Sequence, residues 1–354
     1  MKKYFEKLND NAKEYLKILS PEIPQFLEEY IEAPEMQRLA QISQNCGTDY
    51  TKLYNHRSFY KILDHSVGCA LIVWNFTKDK KQTLAALFHD IATPSFKHCI
   101  DFLNGDYETQ ESTEDLTTDI IKNSDEIMKL LERDNIKLEE VNDYHIYPIA
   151  DNDSPKLSSD RLEYTIENGL KCNYGDIKFD LDYIKKVYDN LEVQKNEEGI
   201  DEIVFKDKKI AEEFVINASA FWYAWRDNKC KLTMQFLADT VKKMGEKNLL
   251  KRNDLYILSE KEIIEKIENC GYKSISECFK KFEETTDYKE TDIKPSDDKY
   301  YISLHNVKRR YINPLVYNGE KLERIYDISE KTKKVIDEFL NFKSKQYAYF
   351  DFNF

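Results

Sequence analysis

Residues 58–77 place Phe59, Ile62, Leu63, Val67, Leu71 and Trp74 on one broad apolar face at helical spacing. The next stretch, KKQTLAALFHDI at 80–91, reads as a second helix, and Pro94 follows soon after its end. A link this short makes the two helices antiparallel neighbours. Helical signals recur along the chain. Pro34 opens 34–44 at a first-turn position, with Met36, Leu39 and Ile42 on one stripe. Further helices are expected in residues 1–30 on either side of a break at Ser20-Pro21, and over 111–134. Others are expected from Ser159 toward Leu170, over 207–248 as one or two long helices, at 259–269, at 274–284, and from Ser329 to Phe342. Gly 9 and Pro 8 are low for 354 residues, which suits helices.

Residues 141–158 read as irregular and the polar stretch 284–299 as a loop. After it the texture changes. YISLHNVKRRYINPLVYNGEKLERIY is rich in β-branched and aromatic residues, and Asn318-Gly319 is a hairpin turn signal. No alternating strand–helix units occur, so a parallel α/β sheet is not expected. There is no internal repeat, no GxGxxG and no GxxxxGK[ST] phosphate loop. The expected fold is all-α, with a small β-hairpin appendage near the C-terminus.

Composition narrows the function classes. The chain is 41% hydrophobic and 34% charged, as a soluble globular protein would be. Its longest apolar runs, such as LAALF at 84–88 and CALIVW at 69–74, fall far short of the roughly 18–20 residues a membrane span needs. The charged start MKKYFEKLNDNAKEYL does not read as a secretory signal. Seven scattered cysteines form no CxxC pair, so the expected setting is a reducing cytoplasm. A net charge of −13 opposes binding to nucleic-acid polymers, but leaves room for a local basic pocket that takes a small phosphate ester.

His65, His89, Asp90 and Asp160 offer ligands suited to ions such as Mn, Fe and Zn. Antiparallel helices can bring His65 against His89. Adjacent residues on a helix point about 100° apart, so His89 and Asp90 can share an ion only near the helix end. That is where they stand. Taken alone, a His-Asp pair at a helix C-terminus is more often a dipole or hydrogen-bond arrangement, and a single His65 more often a satisfied buried histidine.

Four segments in order change this. PEMQRLAQISQNCG at 34–47, DHSVGCA at 64–70, LFHDIATPSFKHCIDF at 87–102 and DRLEYTIEN at 160–168 resemble the HD-domain metal-dependent phosphohydrolases. They are similar in particular to the deoxynucleoside-triphosphate triphosphohydrolase (dGTPase-like) branch. Their counterparts there are P-x-x-QRL-x-x-I-x-Q-x-G, EHS-x-G-V, LLHDIGH-x-PF-x-H-x-x-D and D-x-x-DY-x-x-RD. The likeness covers roughly residues 30–250 and continues weakly into KRRYINPLV. It implies an HD-domain helical core. It also implies one divalent ion (Mn, Fe, Mg, Co or Zn) held by His65, His89, Asp90 and Asp160, and hydrolysis of a dNTP to deoxynucleoside plus triphosphate. Homo-oligomers and nucleotide activation occur in the family, and no residue pattern here settles either.

The departures are specific. Where the family places a glycine and a histidine after HD-I, this chain has Ala92 and Thr93. The histidine of a downstream His-Glu pair is replaced by Thr113, before Glu114, in a stretch where Ser112-x-x-Asp115 also reads as a plain helix cap. His98 and Asp101 match the F-x-H-x-x-D positions. Threonine donates a hydrogen bond but does not shuttle protons near neutral pH, so His98 or Glu114, with Asp101 nearby, is the expected catalytic substitute. Ile62 stands where the family often has arginine, with His56 and Arg57 as spatial alternatives.

The resemblance also implies a substrate-binding set. Gln37 lies in the QRL segment, where Arg38 can equally be structural. Arg161 matches a basic position. Tyr164 matches the residue that excludes a 2′-hydroxyl. Tyr223 and Arg226 match the Y-x-HK pattern, with Trp225 in place of its histidine. Tyr164 can also be an ordinary core tyrosine, and Arg226 a solvated charge.

The expected organisation is a phosphohydrolase domain over 1–250 and a helical and β-hairpin extension over 251–354 packed on it. The lost histidines keep two alternatives open. One is a phosphohydrolase acting on nucleoside monophosphates or modified or cyclic nucleotides. The other is a catalytically weak nucleotide-binding regulatory protein.

Overall fold

The computed structural model describes every residue except 1, 2, 55–59, 111–113, 115, 172–178, 305 and 318, and also leaves out the side chain of Lys171. The expectations for His56, Arg57, Ser112, Thr113, Asp115 and Asn318 fall outside the described residues.

The architecture is helical. At its centre is the helix Ile62–Thr77, buried along nearly its whole length, including the polar His65 and Ser66. A helix apolar on most sides belongs inside a bundle. Lys78 ends it in the left-handed region (φ 54°). Asp79 caps the next helix, Lys80–Phe88, by accepting from the Gln82 N–H at 2.9 Å. These two residues make the reversal that lays the helices antiparallel. The second helix stops at Phe88, and residues 89–97 are carried in turns.

The helix Ser159–Lys171 packs against the central one. The approach is close because residue 68 is glycine: a Cβ there would lie 2.6 Å from Glu163 Oε1. Two boundaries differ from expectation. The 111–134 stretch is two helices, Thr117–Asn123 and Asp125–Arg133, because the Ser124 side chain caps the second. The 207–248 stretch divides at Asp227, which is extended and caps Asn228–Glu246 after Lys208–Arg226.

The strands form two small sheets. One has the order β1 (Leu191–Lys195), β2 (Asp201–Phe205), β5 (Leu315–Tyr317) and β6 (Leu322–Arg324). The other pairs β3 (Lys289–Thr291) and β4 (Tyr300–Ile302) with β7 (Tyr347–Phe350) between them. The expected hairpin is β5–β6, with Leu315 opposite Arg324. The β1–β2 hairpin in mid-chain was not expected. Its sequence LEVQKNEEGIDEIVF hides a strand because Glu202, fully buried, pairs with Arg324 rather than with solvent. β3 likewise lies within the stretch expected to be loop.

Two apolar clusters fill the interior. One surrounds the central helix and takes in Ile312, Ile336 and Phe339. The other gathers Phe96, Phe236, Phe282 and Phe350. Each draws on residues from both sides of position 250. No described helix is long and apolar enough to cross a membrane.

Candidate metal centre

The helix reversal at Lys78–Asp79 brings the two histidines face to face. His65 Nε2 lies 3.2 Å from His89 Nε2. Asp160, at the start of its helix, places Oδ1 3.1 Å from His65 Nε2 and 3.8 Å from His89 Nε2. Asp90 Oδ2 lies 3.7 Å from His89 Nε2 and 3.9 Å from His65 Nε2. Metal bonds of about 2.0–2.2 Å require donor atoms of one site to stand roughly 3–3.5 Å apart. The His65–His89 and His65–Asp160 separations fit that closely, while Asp160 to His89 and Asp90 to both rings are wider, at 3.7–3.9 Å.

Second partners orient both rings. The His89 Nδ1–H donates to the Ala86 carbonyl at 2.7 Å, which leaves Nε2 as the free ligand atom. His65 Nδ1 faces Glu163 Oε2 at 2.5 Å, so its Nε2 also turns to the cluster. Glu163 is fully buried and accepts from the Tyr15 hydroxyl at 2.8 Å and from Tyr60. This carboxylate–histidine arrangement is the usual second layer of a metal site.

Burial opposes ionisation of Asp90, but Lys97, His89, His65 and the Thr93 hydroxyl outweigh it and hold the carboxyl well below its ordinary range. Burial likewise opposes ionisation of Asp160, and His65, His89 and Arg161 overcome it. The site therefore keeps two buried carboxylates charged beside two imidazoles, a donor set suited to a divalent ion. Asp160 has 23% side-chain exposure against 2–8% for the other three, so the cluster opens on its side.

Cys69, one turn after His65, also reaches the cluster. Its Sγ is 3.8 Å from His65 Nε2, and the ligand atoms of His65, Cys69, His89 and Asp160 all lie within 4.8 Å of one another. Burial pushes the thiol up to about 12, and a neutral thiol is a poor ligand.

Around the cluster stand further groups, of which Lys97, Gln44, Tyr144 and His145 were not anticipated. Lys97 Nζ donates to Asp90 Oδ2 at 3.1 Å and to Gln44 Oε1 at 2.9 Å. The Thr93 hydroxyl donates to Asp90 Oδ1 at 2.9 Å. Arg38 donates to the carbonyls of Ile91 and Thr93, at 3.2 and 2.6 Å, and so braces the HD turn. The Tyr144 ring lies tilted against His89, with ring centroids 5.1 Å apart, and its hydroxyl donates to Glu114 Oε1 at 3.3 Å. His145 faces Glu114 and Asp151 at 3.8 and 3.6 Å. Burial, reinforced by the nearby charges of Asp90 and Asp160, pushes the Glu114 carboxyl up to about 7 against the pull of His145 and Tyr144.

His98 donates from Nδ1 to Asp101 Oδ2 at 2.8 Å and accepts from Arg310 at Nε2, 3.3 Å away. Burial and then Arg310 bring its imidazole down to about 4, despite Asp101. Both ring nitrogens are thus engaged and the ring is neutral.

The remaining expected residues point elsewhere. Gln37 donates to the Ile31 carbonyl at 2.8 Å. Arg161 is buried, bonded to the Lys156 carbonyl at 2.6 Å and to Asn152, with Asp151 at 3.0 Å. Arg226 donates to the Phe339 carbonyl at 2.9 Å, and Tyr223 packs edge-on against Phe339 and Phe342. Tyr164 lies edge-on to Trp225 and within the field of Arg161, Asp160 and Arg310. Some of the missed residues did carry a signal. Cys69 is four residues after His65 and Glu163 three after Asp160, both on the faces already assigned to the site. Tyr144, His145 and Arg310 come from segments whose path the sequence does not reveal.

No sequence-family profile matches this chain. It is 22% identical over 322 residues to an uncharacterised protein, YdhJ, of Bacillus subtilis, covering 87% of this chain and 89% of that one. It is 26% identical over 153 residues to a metal-dependent phosphohydrolase, cns2, of Cordyceps militaris, covering 41% and 40%. Among solved structures, a hypothetical protein from Aquifex aeolicus superposes with a TM-score of 0.61 at 17% identity, covering 92% of each chain. A phosphohydrolase from Bacteroides thetaiotaomicron does so with a TM-score of 0.60 at 13% identity, covering 92% of this chain and 95% of that one. The chain shares their fold.

Proposed function

We propose that this protein is a metal-dependent phosphohydrolase of the HD type. The observation that carries the reading is the convergence of His65 Nε2, His89 Nε2 and Asp160 Oδ1, with Asp90 beside them and both rings turned by fixed partners. The metal-dependent phosphohydrolase of Cordyceps to which part of the chain is similar points the same way.

A divalent ion at such a centre supplies Lewis-acid activation of water and of a phosphoryl oxygen. The chain's own groups do the rest. His65, His89, Asp90 and Asp160 hold the charge balance, and Glu163, Ala86 and Thr93 fix their orientation. Glu114, which accepts from the Tyr144 hydroxyl and whose carboxyl burial pushes up to about 7, is the group we assign to give a proton to the leaving oxygen. His98, neutral and engaged on both nitrogens, holds Asp101 and Arg310 together at the edge of the site.

The substrate we propose is a deoxynucleoside triphosphate. The bond broken joins the 5′ oxygen to the α-phosphorus: water adds to phosphorus, the 5′ oxygen takes the proton, and triphosphate leaves whole. Support comes from the ordered resemblance of four segments. One observation favours a second reading, a smaller phosphate ester such as a nucleoside monophosphate. Arg161 and Arg226, the expected triphosphate contacts, are bound to Asp151 and to the Phe339 carbonyl. Incubating metal-loaded protein with each dNTP and each monophosphate decides between them. Nucleoside plus triphosphate supports the first reading, and inorganic phosphate from monophosphates alone replaces it with the second. Binding without turnover in Mn, Fe, Co, Mg or Zn makes the protein a nucleotide binder.

A further inference from the structure

We propose that Lys97 is a phosphate-contacting residue of this site, delivered by a strained turn that residues 255–260 clamp in place; the assignment rests on the phosphohydrolase reading. Phe96 and Lys97 are consecutive non-glycine residues in the left-handed region, with φ of 64° and 45°. Such a conformation costs energy for a bulky aromatic and persists only where the surroundings enforce it. The surroundings are explicit. The Ser95 N–H donates to the Leu255 carbonyl at 2.8 Å, and the Ser95 hydroxyl to the Leu258 carbonyl at 2.7 Å. The Phe96 N–H donates to Glu260 Oε1 at 3.2 Å, and the buried Phe96 ring stands edge-on to Tyr50.

The effect of the clamp is to turn a lysine inward. Lysine is almost never fully buried unless paired, and the Lys97 residue is only 8% exposed. Its acceptors are Asp90 Oδ2 and Gln44 Oε1, while an ammonium has three N–H bonds to give. Pairing with Asp90 occupies one of these three N–H bonds. Thr93 already donates to Oδ1, and two imidazoles lie within 3.9 Å of Oδ2. Gln44 Nε2, on the same amide that receives Lys97, is buried without a hydrogen-bond partner. The third ammonium N–H and this amide N–H are donors for an anionic oxygen beside the His65–His89–Asp160 cluster. A phosphoryl oxygen is the ligand class that such a pair of donors next to a divalent-ion site recognises.

The test compares wild type with Lys97→Gln, which keeps an N–H for Asp90 but drops the charge, and with Lys97→Arg. Metal content, melting temperature and binding of inorganic tripolyphosphate to the metal-loaded protein are measured, with KM and kcat on whichever nucleotide wild type hydrolyses. Lys97→Gln is expected to keep the wild-type metal content, to bind tripolyphosphate at least ten-fold more weakly, and to raise KM. Lys97→Arg is expected to recover part of the binding. If Lys97→Gln does not fold, Lys97→Arg carries the test, and loss of metal there overturns the assignment. A Lys97→Gln protein that turns over and binds tripolyphosphate like wild type overturns the Lys97 assignment alone. A wild type that holds no metal and hydrolyses no phosphate ester overturns the phosphohydrolase reading itself.

Discussion

Glu163 stands directly behind His65: its Oε2 meets Nδ1 at 2.5 Å, and its Oε1 accepts the Tyr15 hydroxyl at 2.8 Å. One carboxylate thus ties the His65 imidazole, a proposed metal ligand, to the packing of the N-terminal helices. Glu163→Gln is expected to fold and to weaken divalent-ion binding by about 10–100-fold, the usual cost of losing such a partner. Titration with a chelator-buffered metal series checks this, and wild-type affinity in the variant would remove Glu163 from the site.

Gly68 makes room for that carboxylate. A Cβ at position 68 would lie 2.6 Å from Glu163 Oε1 and 2.7 Å from its Cγ. Gly68→Ala is expected to cost about 1–3 kcal/mol, as overpacking does, and to lower metal affinity with it. Denaturant unfolding and metal titration on one sample measure both. A loss of stability with unchanged affinity would separate the packing from the site.

The helix pair and its reversal were legible because apolar spacing and the Lys78–Asp79 link leave one arrangement. The sequence also placed all four proposed ligands at element ends or on inward faces. It could not show that Arg161 and Arg226 turn away, since that depends on the Asn152 loop and on Phe339, both outside the motifs. Nor could it show that Lys97 turns inward, because that follows from the left-handed turn held by Leu255 and Glu260, far along the chain. The β1–β2 hairpin was hidden for a similar reason: its buried glutamate has a partner more than a hundred residues away.

That partner pair is itself a prediction. Arg324 reaches Glu202 with two bonds, 2.6 Å from Nη1 to Oε1 and 2.8 Å from Nη2 to Oε2, and joins β2 to β6. Removing one member leaves a buried carboxylate unpaired. Arg324→Ala is expected to destabilise the fold by about 3–5 kcal/mol, read from urea unfolding. A change under about 1 kcal/mol, the range of exposed pairs, would show that water reaches Glu202.

Glu260 gives the stability a pH signature. Burial pushes its carboxyl up to about 7, against the hydrogen bonds from Tyr50, Phe96 and Ser43. The folded chain therefore holds this proton more tightly than the unfolded one. The stabilisation is complete below the ordinary carboxyl range, near about 4.3, and is lost as pH rises through about 7. The fall in unfolding free energy from pH 5 to pH 8 is expected to be smaller in Glu260→Gln than in wild type, by an amount on the order of 2 kcal/mol. Equal slopes would mean that Glu260 does not titrate in this range.

We propose that His65, His89, Asp90 and Asp160 hold a divalent ion that phosphoester hydrolysis requires. The most direct measurement pairs metal content with hydrolysis of a nucleotide panel, for wild type and for the double variant His89→Ala, Asp90→Ala. Wild type is expected to carry stoichiometric metal and to lose turnover on chelation, and the variant to lack both. A variant that keeps full metal and full activity would mean that these residues do not hold the ion.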